Sequence, residues 1–374
     1  MWGLLLLSAA AFTDVTTDLL PAGLLPQMSG ALRVSPARIG LLVTAFAIAS
    51  ACAAIPVTAL LRGLPRRPVL AGALAGFALF DAVTAIAPSY LVMFAARLFL
   101  GVLGGTLWSL LAGTAARMVP AERRGRAIAI VLGGITAALC LGIPAGTALA
   151  GAVGWRGSFA VLAALALVLA ILVRLLLPPL SPDESGGARP PVRRVAAMPG
   201  VAAVLTITLL LLTGHQVMYT YIAPFLRYAG FGRTGLVLLV FGAATVAGIA
   251  VAGALADRRL QLALAGTLAV LCLAMGALGL AGRVPAVLLV AVALWGAAYG
   301  AAPTLLQTAL IRASGAASAD VATSLQTTIY NLGIAAGSLA GGLVLGGLGA
   351  RALPWAAGLL IAIALTATRR TQII

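Results

Sequence analysis

Lysine is absent from this chain of 374 residues, histidine occurs once and cysteine three times. Charge of either sign is scarce, at 9% of residues, and only 8 residues are acidic. Each shortage excludes something. Soluble domains carry about 25% charged residues. A chain with 9% charged and 62% hydrophobic residues cannot solvate its own surface and belongs in lipid. The one histidine and the isolated Cys52, Cys140 and Cys272 offer no zinc set, no disulfide framework and no nucleophile–base pair. No Gly-Lys-Ser/Thr phosphate loop is present, so ATP use is not expected. An enzyme, a cofactor and a metal are therefore all disfavoured. The formal net charge of +16 would suggest nucleic acid in a soluble chain. Here the arginines lie between apolar stretches, where they orient spans, and no nucleic-acid partner is expected.

What the chain does have is twelve apolar stretches long enough to cross a bilayer, about 20 residues each. They run near 3–27, 38–61, 69–87, 91–116, 127–152, 158–178, 197–226, 234–256, 262–281, 285–311, 321–346 and 353–368. The pattern predicts an all-α membrane protein. The first stretch is too long and too acidic for a cleaved signal peptide and is expected to remain in the mature protein. The even-numbered connections and the C-terminus hold 16 arginines and the opposite side 7, with Arg97 inside a span. That bias places both termini in the cytoplasm. The longest connection, "LPPLSPDESGGARPPVRRVAAMPG", is rich in Pro, Gly and charge and reads as a cytoplasmic linker over 179–196. It divides the chain into six-helix bundles over 1–178 and 197–374. The halves look related, because "GLLPQMSGALRVSPARIGLLVTAF" matches "YIAPFLRYAGFGRTGLVLLVFGAA". Secondary transporters are built from such repeats.

Two aspartates sit inside the first span, Asp14 near its middle and Asp18 one helical turn on. A carboxylate at membrane depth is costly and marks a functional path. Arg97 is the one cation well inside a span. Counted from the outer ends, Arg97 and Asp18 are both about 10–12 Å deep at 1.5 Å per residue, so an Asp18–Arg97 pair is expected. Asp14, deeper and without a matched cation, is the readier proton acceptor. Asp81 and Asp320, near span ends, read as interfacial or capping residues.

"TTDLLPAGLLPQMSGALRVSPARIGLLVTAF", "LGIPAGTALAGAVGWRGSF", "GHQVMYTYIAPFL" and "LQTTIYNLGIAAGSLAGG" resemble the first two, fifth, seventh and eleventh spans of the major facilitator superfamily. The branch they resemble is the drug/proton antiporters of the arabinose-efflux and chloramphenicol-resistance type. The resemblance covers essentially the whole chain. It implies two pseudo-symmetric six-helix bundles, export of small amphipathic compounds against protons by alternating access, and coupling through Asp14, Asp18 and Arg97. Gly142, Pro144 and Gly146 resemble the fifth-span antiporter motif. The glycines leave a small-residue face for close helix contact, the proline permits a bend, and the motif favours export over uptake. The family's loop after span two is degenerate here: Thr58 and Arg62 replace its glycine and aspartate, and only Arg66 and Arg67 remain. The second half keeps Gly253, Asp257 and Arg258 for the equivalent gate.

Candidate substrate-binding residues are Thr17 and Trp108 in the first half and His215, Gln216, Tyr219, Tyr299, Gln307, Gln326, Tyr330 and Asn331 in the second. Superposing the halves on Pro26 and Pro224 aligns Thr17 with His215. Trp295, Tyr299, Pro303 and Gln307 recur every four residues, and with the stripes on spans seven and eleven they suggest an amphipathic wall. The expected partners are a small-molecule substrate, protons and the bilayer, for a chain working as a monomer. The alternatives are a sugar or metabolite facilitator or symporter on the same fold, which the fifth-span motif weighs against, and a non-transporting receptor or scaffold.

Overall fold

Helix is the backbone state open to an apolar chain in lipid, because each amide must find its partner within its own segment. Every regular element among the described residues is helical. The computed structural model describes residues 2–61, 64–120, 123–179, 191–255, 260–315 and 318–370. The helices of the first half are α1 (Trp2–Leu32), α2 (Pro36–Leu60), α3 (Arg66–Ile86), α4 (Tyr90–Arg117), α5 (Arg124–Ala137) and α6 (Ile143–Leu176). Those of the second are α7 (Val192–Ala196), α8 (Pro199–Tyr219), α9 (Ile222–Tyr228), α10 (Thr234–Leu255), α11 (Leu260–Ala281), α12 (Pro285–Ser314), α13 (Ala319–Gly347) and α14 (Leu353–Arg370).

Eleven stretches of described helix are long and apolar enough to span a membrane, and one of them, Arg126–Leu176, has 51 residues. At 1.5 Å per residue that is about 76 Å, against a hydrocarbon core of about 30 Å. It turns at Gly154, whose φ of 75° is open to glycine and strained for other residues. The turn falls between the fifth and sixth expected spans and makes twelve crossings.

Prolines decide where the helices yield. A proline cannot donate to the carbonyl four residues earlier, and its ring crowds that carbonyl. Pro224 stands four residues after Thr220, and there the expected continuous span 197–226 breaks into α8 and α9. Tyr221 Oη then donates to Ser338 O at 2.7 Å and Thr220 Oγ1 pairs with Ser338 Oγ at 2.9 Å. Pro144 stands four residues after Cys140, within a π-helical turn over Ala138–Gly142 that joins α5 to α6. The chain divides into two compact units, Met1–Gly186 and Gly187–Ile374. Most of the expected linker, residues 180–190, lies outside the described residues, and its last five residues form α7.

Glycine seams reveal how the units correspond. In unit 1, a Cβ on Gly101 would strike Phe46 O and one on Gly105 would strike Ser50 O, so α4 lies directly on α2. In unit 2, Gly296 meets Phe241 O and Gly300 meets Thr245 O in the same way, between α12 and α10. Each partner pair is 55 positions apart (46 to 101, 50 to 105, 241 to 296, 245 to 300), and the units are related by an offset of 195 (46 to 241, 101 to 296). The proline-based superposition, with an offset of 198 (26 to 224), does not carry over to these helices.

Candidate functional site

The acidic cluster of unit 1 begins with Pro21. Its missing N–H leaves the carbonyl of Thr17, four residues earlier, without a helical donor. Arg97 Nη1, from α4, donates to that carbonyl at 2.5 Å. The Thr17 hydroxyl in turn donates to Asp81 Oδ2 at 2.9 Å. Thr17, expected to meet substrate, is instead sealed, with its hydroxyl and its carbonyl both engaged inside the cluster.

Arg97 is fully buried, and its guanidinium carbon lies 5.1 Å from the centre of the Phe159 ring. It is within electrostatic reach of both Asp18 and Asp81. The expected Asp18–Arg97 pair is therefore corrected in form: the guanidinium's hydrogen bond goes to the Thr17 carbonyl, and Asp18 Oδ1 accepts none. Asp81 is corrected outright. It is not interfacial but 0% exposed, because α3 packs along α6 and α4 and closeness to a helix end says nothing about lateral burial. Asp14 faces Gly104, where a Cβ would stand 2.7 Å from Asp14 Oδ1 and 2.8 Å from Phe46 Cζ. One oxygen of each of the three aspartates, together with Arg97 Nε and Nη2, is buried without a hydrogen-bond partner. Three neighbouring buried carboxyls, of which Arg97 reaches Asp18 and Asp81, cannot all stay ionised in a dry interior, since uncompensated buried charge is expensive. Chemically, this arrangement can hold protons and exchange them when water reaches it.

The residues of "GIPAG" pack against the same helix. A Cβ on Gly142 would collide with Thr16 Oγ1 and the Phe12 ring, and one on Gly146 would come within 2.7 Å of Leu20 Cδ1. Ser158 Oγ closes the far side by donating to Gly146 O at 2.9 Å. A shape change at Pro144 is thus felt along α1, where Asp14 and Asp18 stand.

Unit 2 has an aromatic box where unit 1 has charge. His215 stacks on Tyr299 at 3.6 Å between ring centres and on Tyr219 at 5.2 Å, with Phe241 at 5.9 Å. Trp295 Nε1 donates to His215 Nδ1 at 3.0 Å. An indole N–H can only donate, so Nδ1 is the acceptor and a neutral His215 keeps its proton on Nε2. Tyr299 is the positional equivalent of Gly104 (offset 195), and its ring meets His215 and Phe241 where Gly104 meets Asp14 and Phe46. His215 therefore corresponds to Asp14 and not to Thr17.

The expected wall on α8 divides into two faces. His215 and Tyr219 belong to the box, while Gln216 faces α13, where a Cβ on Gly337 would meet its Cβ at 2.6 Å. Gln216 and Gln326 are both buried, each with its Nε2 unbonded. Tyr330 lies within electrostatic reach of Tyr299, and Asn331 Nδ2 donates to Thr327 O at 3.1 Å. Gln307 is exposed and does not share the face of Trp295. A four-residue step advances about 400°, so three steps rotate the position by roughly 120°. Trp108 is half-buried, eleven residues and about 16 Å along α4 from Arg97. Arg67 Nε and Nη2 both donate to Arg174 O, capping the last turn of α6. Arg66 is buried beside it. Asp257 and Arg258 lie outside the described residues, as do the side-chain surroundings of Gly253 and Asp320.

Phe241 and Asp81 are the members of these clusters that the sequence hid. A phenylalanine in an apolar span carries no signal, while Asp81 carried one that its position near a helix end masked.

The profile of the Major Facilitator Superfamily matches residues 4–338. The chain is 34% identical over 370 residues to a chloramphenicol resistance protein of Streptomyces lividans, covering 97% of this chain and 94% of that one. It is 29% identical over 356 residues to a probable sugar efflux transporter of Mannheimia succiniciproducens, covering 92% and 87%. Its backbone is similar to that of a bacterial homologue of the human lysosomal transporter Spinster, with a TM-score of 0.79 at 13% identity, covering 99% and 96% of the two chains.

Proposed function

The chain belongs to the Major Facilitator Superfamily, and from that premise we propose that it is a proton-coupled exporter of small amphipathic compounds in the bacterial inner membrane. It is a multi-pass membrane transporter and not an enzyme. The observation that carries the proposal is the buried cluster of Asp14, Asp18 and Arg97 beside the glycine seam of Gly142 and Gly146. Carboxyls sealed in an apolar bundle are expensive unless they cycle protons. Asp14 and Asp18 take up and release the coupling protons, Arg97 supplies the counter-charge, and alternating access exposes them to either side in turn. The rings of His215, Tyr219, Trp295 and Tyr299, with Tyr330 and Asn331, form the apolar and hydrogen-bonding surface for substrate. Arg66 and Arg67, with Gly253, Asp257 and Arg258, serve the cytoplasmic gates, and both termini and residues 179–196 face the cytoplasm. The working unit is the monomer.

The names of the relatives suggest chloramphenicol-like aryl compounds first and sugars second. Expression in a chloramphenicol-sensitive host lacking its own pumps tests this directly. Resistance and efflux of labelled chloramphenicol should rise with the chain and collapse when an uncoupler removes the proton gradient. Efflux that survives the uncoupler would favour the facilitator alternative.

A further inference from the structure

We propose that Asp81 is itself a proton-carrying member of the coupling site, alternating with Asp18 as the counter-charge of Arg97, with Thr17 as the positioning residue between them. The inference rests on the proton-coupled reading above and extends it to a third helix.

The geometry is asymmetric in a telling way. Asp81 is fully buried and has one hydrogen bond, from the Thr17 hydroxyl to Oδ2, while its Oδ1 has none. Arg97 lies within reach of carboxyls on two different helices, Asp18 on α1 and Asp81 on α3. Its Nε and Nη2 donors are unspent. The guanidinium is thus anchored by Nη1 to the Thr17 carbonyl and keeps two donors for whichever carboxylate is charged. Groups facing Asp81 are Thr17 and Asp14 on α1 and Arg97 on α4, and on α6 the Phe159 ring lies against the Arg97 guanidinium. The other cation nearby, Arg156, is occupied by a bond from Nη2 to Ala87 O at 3.0 Å.

In one state Asp81 is the carboxylate, Thr17 donates to it and Asp18 holds a proton. An arriving proton then forms an O–H bond at Asp81 while the O–H bond at Asp18 breaks and its proton leaves to water. The charge of the cluster is unchanged, and Arg97 stays protonated throughout. Protonated at Oδ2, Asp81 becomes a donor, so the Thr17 hydroxyl must turn from donating to accepting. A hydroxyl can do both, and this is why a threonine suits the position.

The test uses the purified full chain in liposomes, with chloramphenicol as probe. Infrared pH-difference spectra of the wild type should show C=O bands of buried carboxylic acids. Asp81→Asn should remove one band, displace that of Asp18, and abolish chloramphenicol-driven proton release while chloramphenicol exchange continues. Thr17→Val should shift the pH midpoint of release and Thr17→Ser should leave it in place. An Asp81→Asn protein with every carboxyl band and its proton release intact overturns the proposal. If Asp81→Asn fails to insert, Asp81→Glu carries the same test: an unmoved band and an unmoved release profile overturn it too. Absence of chloramphenicol-driven release in a wild type that does exchange chloramphenicol sinks the coupling reading instead. The Asp81 assignment is then decided by the infrared bands alone.

Discussion

Between the first helix and Phe46, unit 1 places Gly104 against Asp14; at the equivalent point unit 2 places Tyr299 against His215 and Phe241. The glycine seams that bring α2 to α4 and α10 to α12 are the same to the residue, so the two scaffolds are one design. Their contents are opposite. Unit 1 gathers three buried carboxyls and a guanidinium on α1, α3 and α4. Unit 2 fills the corresponding region with stacked rings, where an indole donates a hydrogen bond to an imidazole. Even Arg97 has an apolar counterpart, Val292, at the offset of 195 (97 to 292). Duplication supplies a scaffold twice, and titratable chemistry need only be installed once.

The largest effect should come from removing Arg97, the cation of the acidic cluster. Arg97→Gln leaves Asp18 and Asp81 without their counter-charge, and breaking a buried charge network by deleting one partner costs about 3–5 kcal/mol. Export should vanish and the melting temperature of the purified protein should fall. Adding Asp14→Asn and Asp18→Asn to that variant should restore the melting temperature but not export. If Arg97→Gln melts like the wild type, the carboxyls do not depend on it and the contrast between units loses its electrostatic basis.

Next come the carboxyls taken singly. Asp14→Asn and Asp18→Asn keep shape and remove ionisation. At least one should lose gradient-driven chloramphenicol export while retaining exchange in the absence of a gradient. His215→Asn, at the position equivalent to Asp14 in unit 2, should instead change apparent affinity and leave the proton requirement in place. Proton-dependent export unchanged in both aspartate variants would place coupling elsewhere.

A smaller effect is expected at the seam that joins the motif to the acidic helix. Gly146→Leu adds a branched side chain where Leu20 already stands, and overpacking of this kind costs about 1–3 kcal/mol. Insertion should survive, read as normal membrane yield, while transport rate falls several-fold. A variant that transports at the wild-type rate would show that α1 and α6 need not approach closely.

Much of this fold was legible because its signals are local. A run of about 20 apolar residues has one structural outcome in lipid, and the turn that Gly154 makes falls in the gap at 153–157 between the fifth and sixth expected spans. Asp14, Asp18 and Arg97 stood out because charge in such runs is rare. What stayed hidden depends on contacts distant in sequence. Arg97 meets the carbonyl that Pro21 releases, 80 positions away, and no spacing rule connects a proline to an arginine on another helix. The proline-anchored superposition failed because α8 stops at Tyr219 while α1 continues to Leu32. His215 and Phe241 are consequently six positions closer in sequence than Asp14 and Phe46 (26 against 32). Gln307 was placed on the wall by an every-fourth pattern whose rotation accumulates over three steps.

The finest test concerns the hydrogen bond from Trp295 to His215 inside the aromatic box. Trp295→Phe keeps a ring beside Phe241 and Tyr219 but removes the indole N–H that His215 Nδ1 accepts. A hydrogen bond of this kind contributes about 0.5–1.5 kcal/mol, so folding should be nearly unaffected. Freed from its donor, the imidazole can take either tautomer and turn within the stack. If the box faces substrate, this freedom should lower apparent affinity for an aryl probe a few-fold without altering the protons exchanged per molecule. Trp295→Tyr, which keeps a polar tip on a shorter ring, should fall between the two. The decisive measurement is the pair of numbers together, the apparent KM for chloramphenicol and the proton-to-substrate ratio, in the same proteoliposomes. A change in KM alone keeps substrate and proton chemistry on separate units. A change in the ratio would show that His215 takes part in proton exchange, and the division of labour drawn from Gly104 and Tyr299 would have to be abandoned.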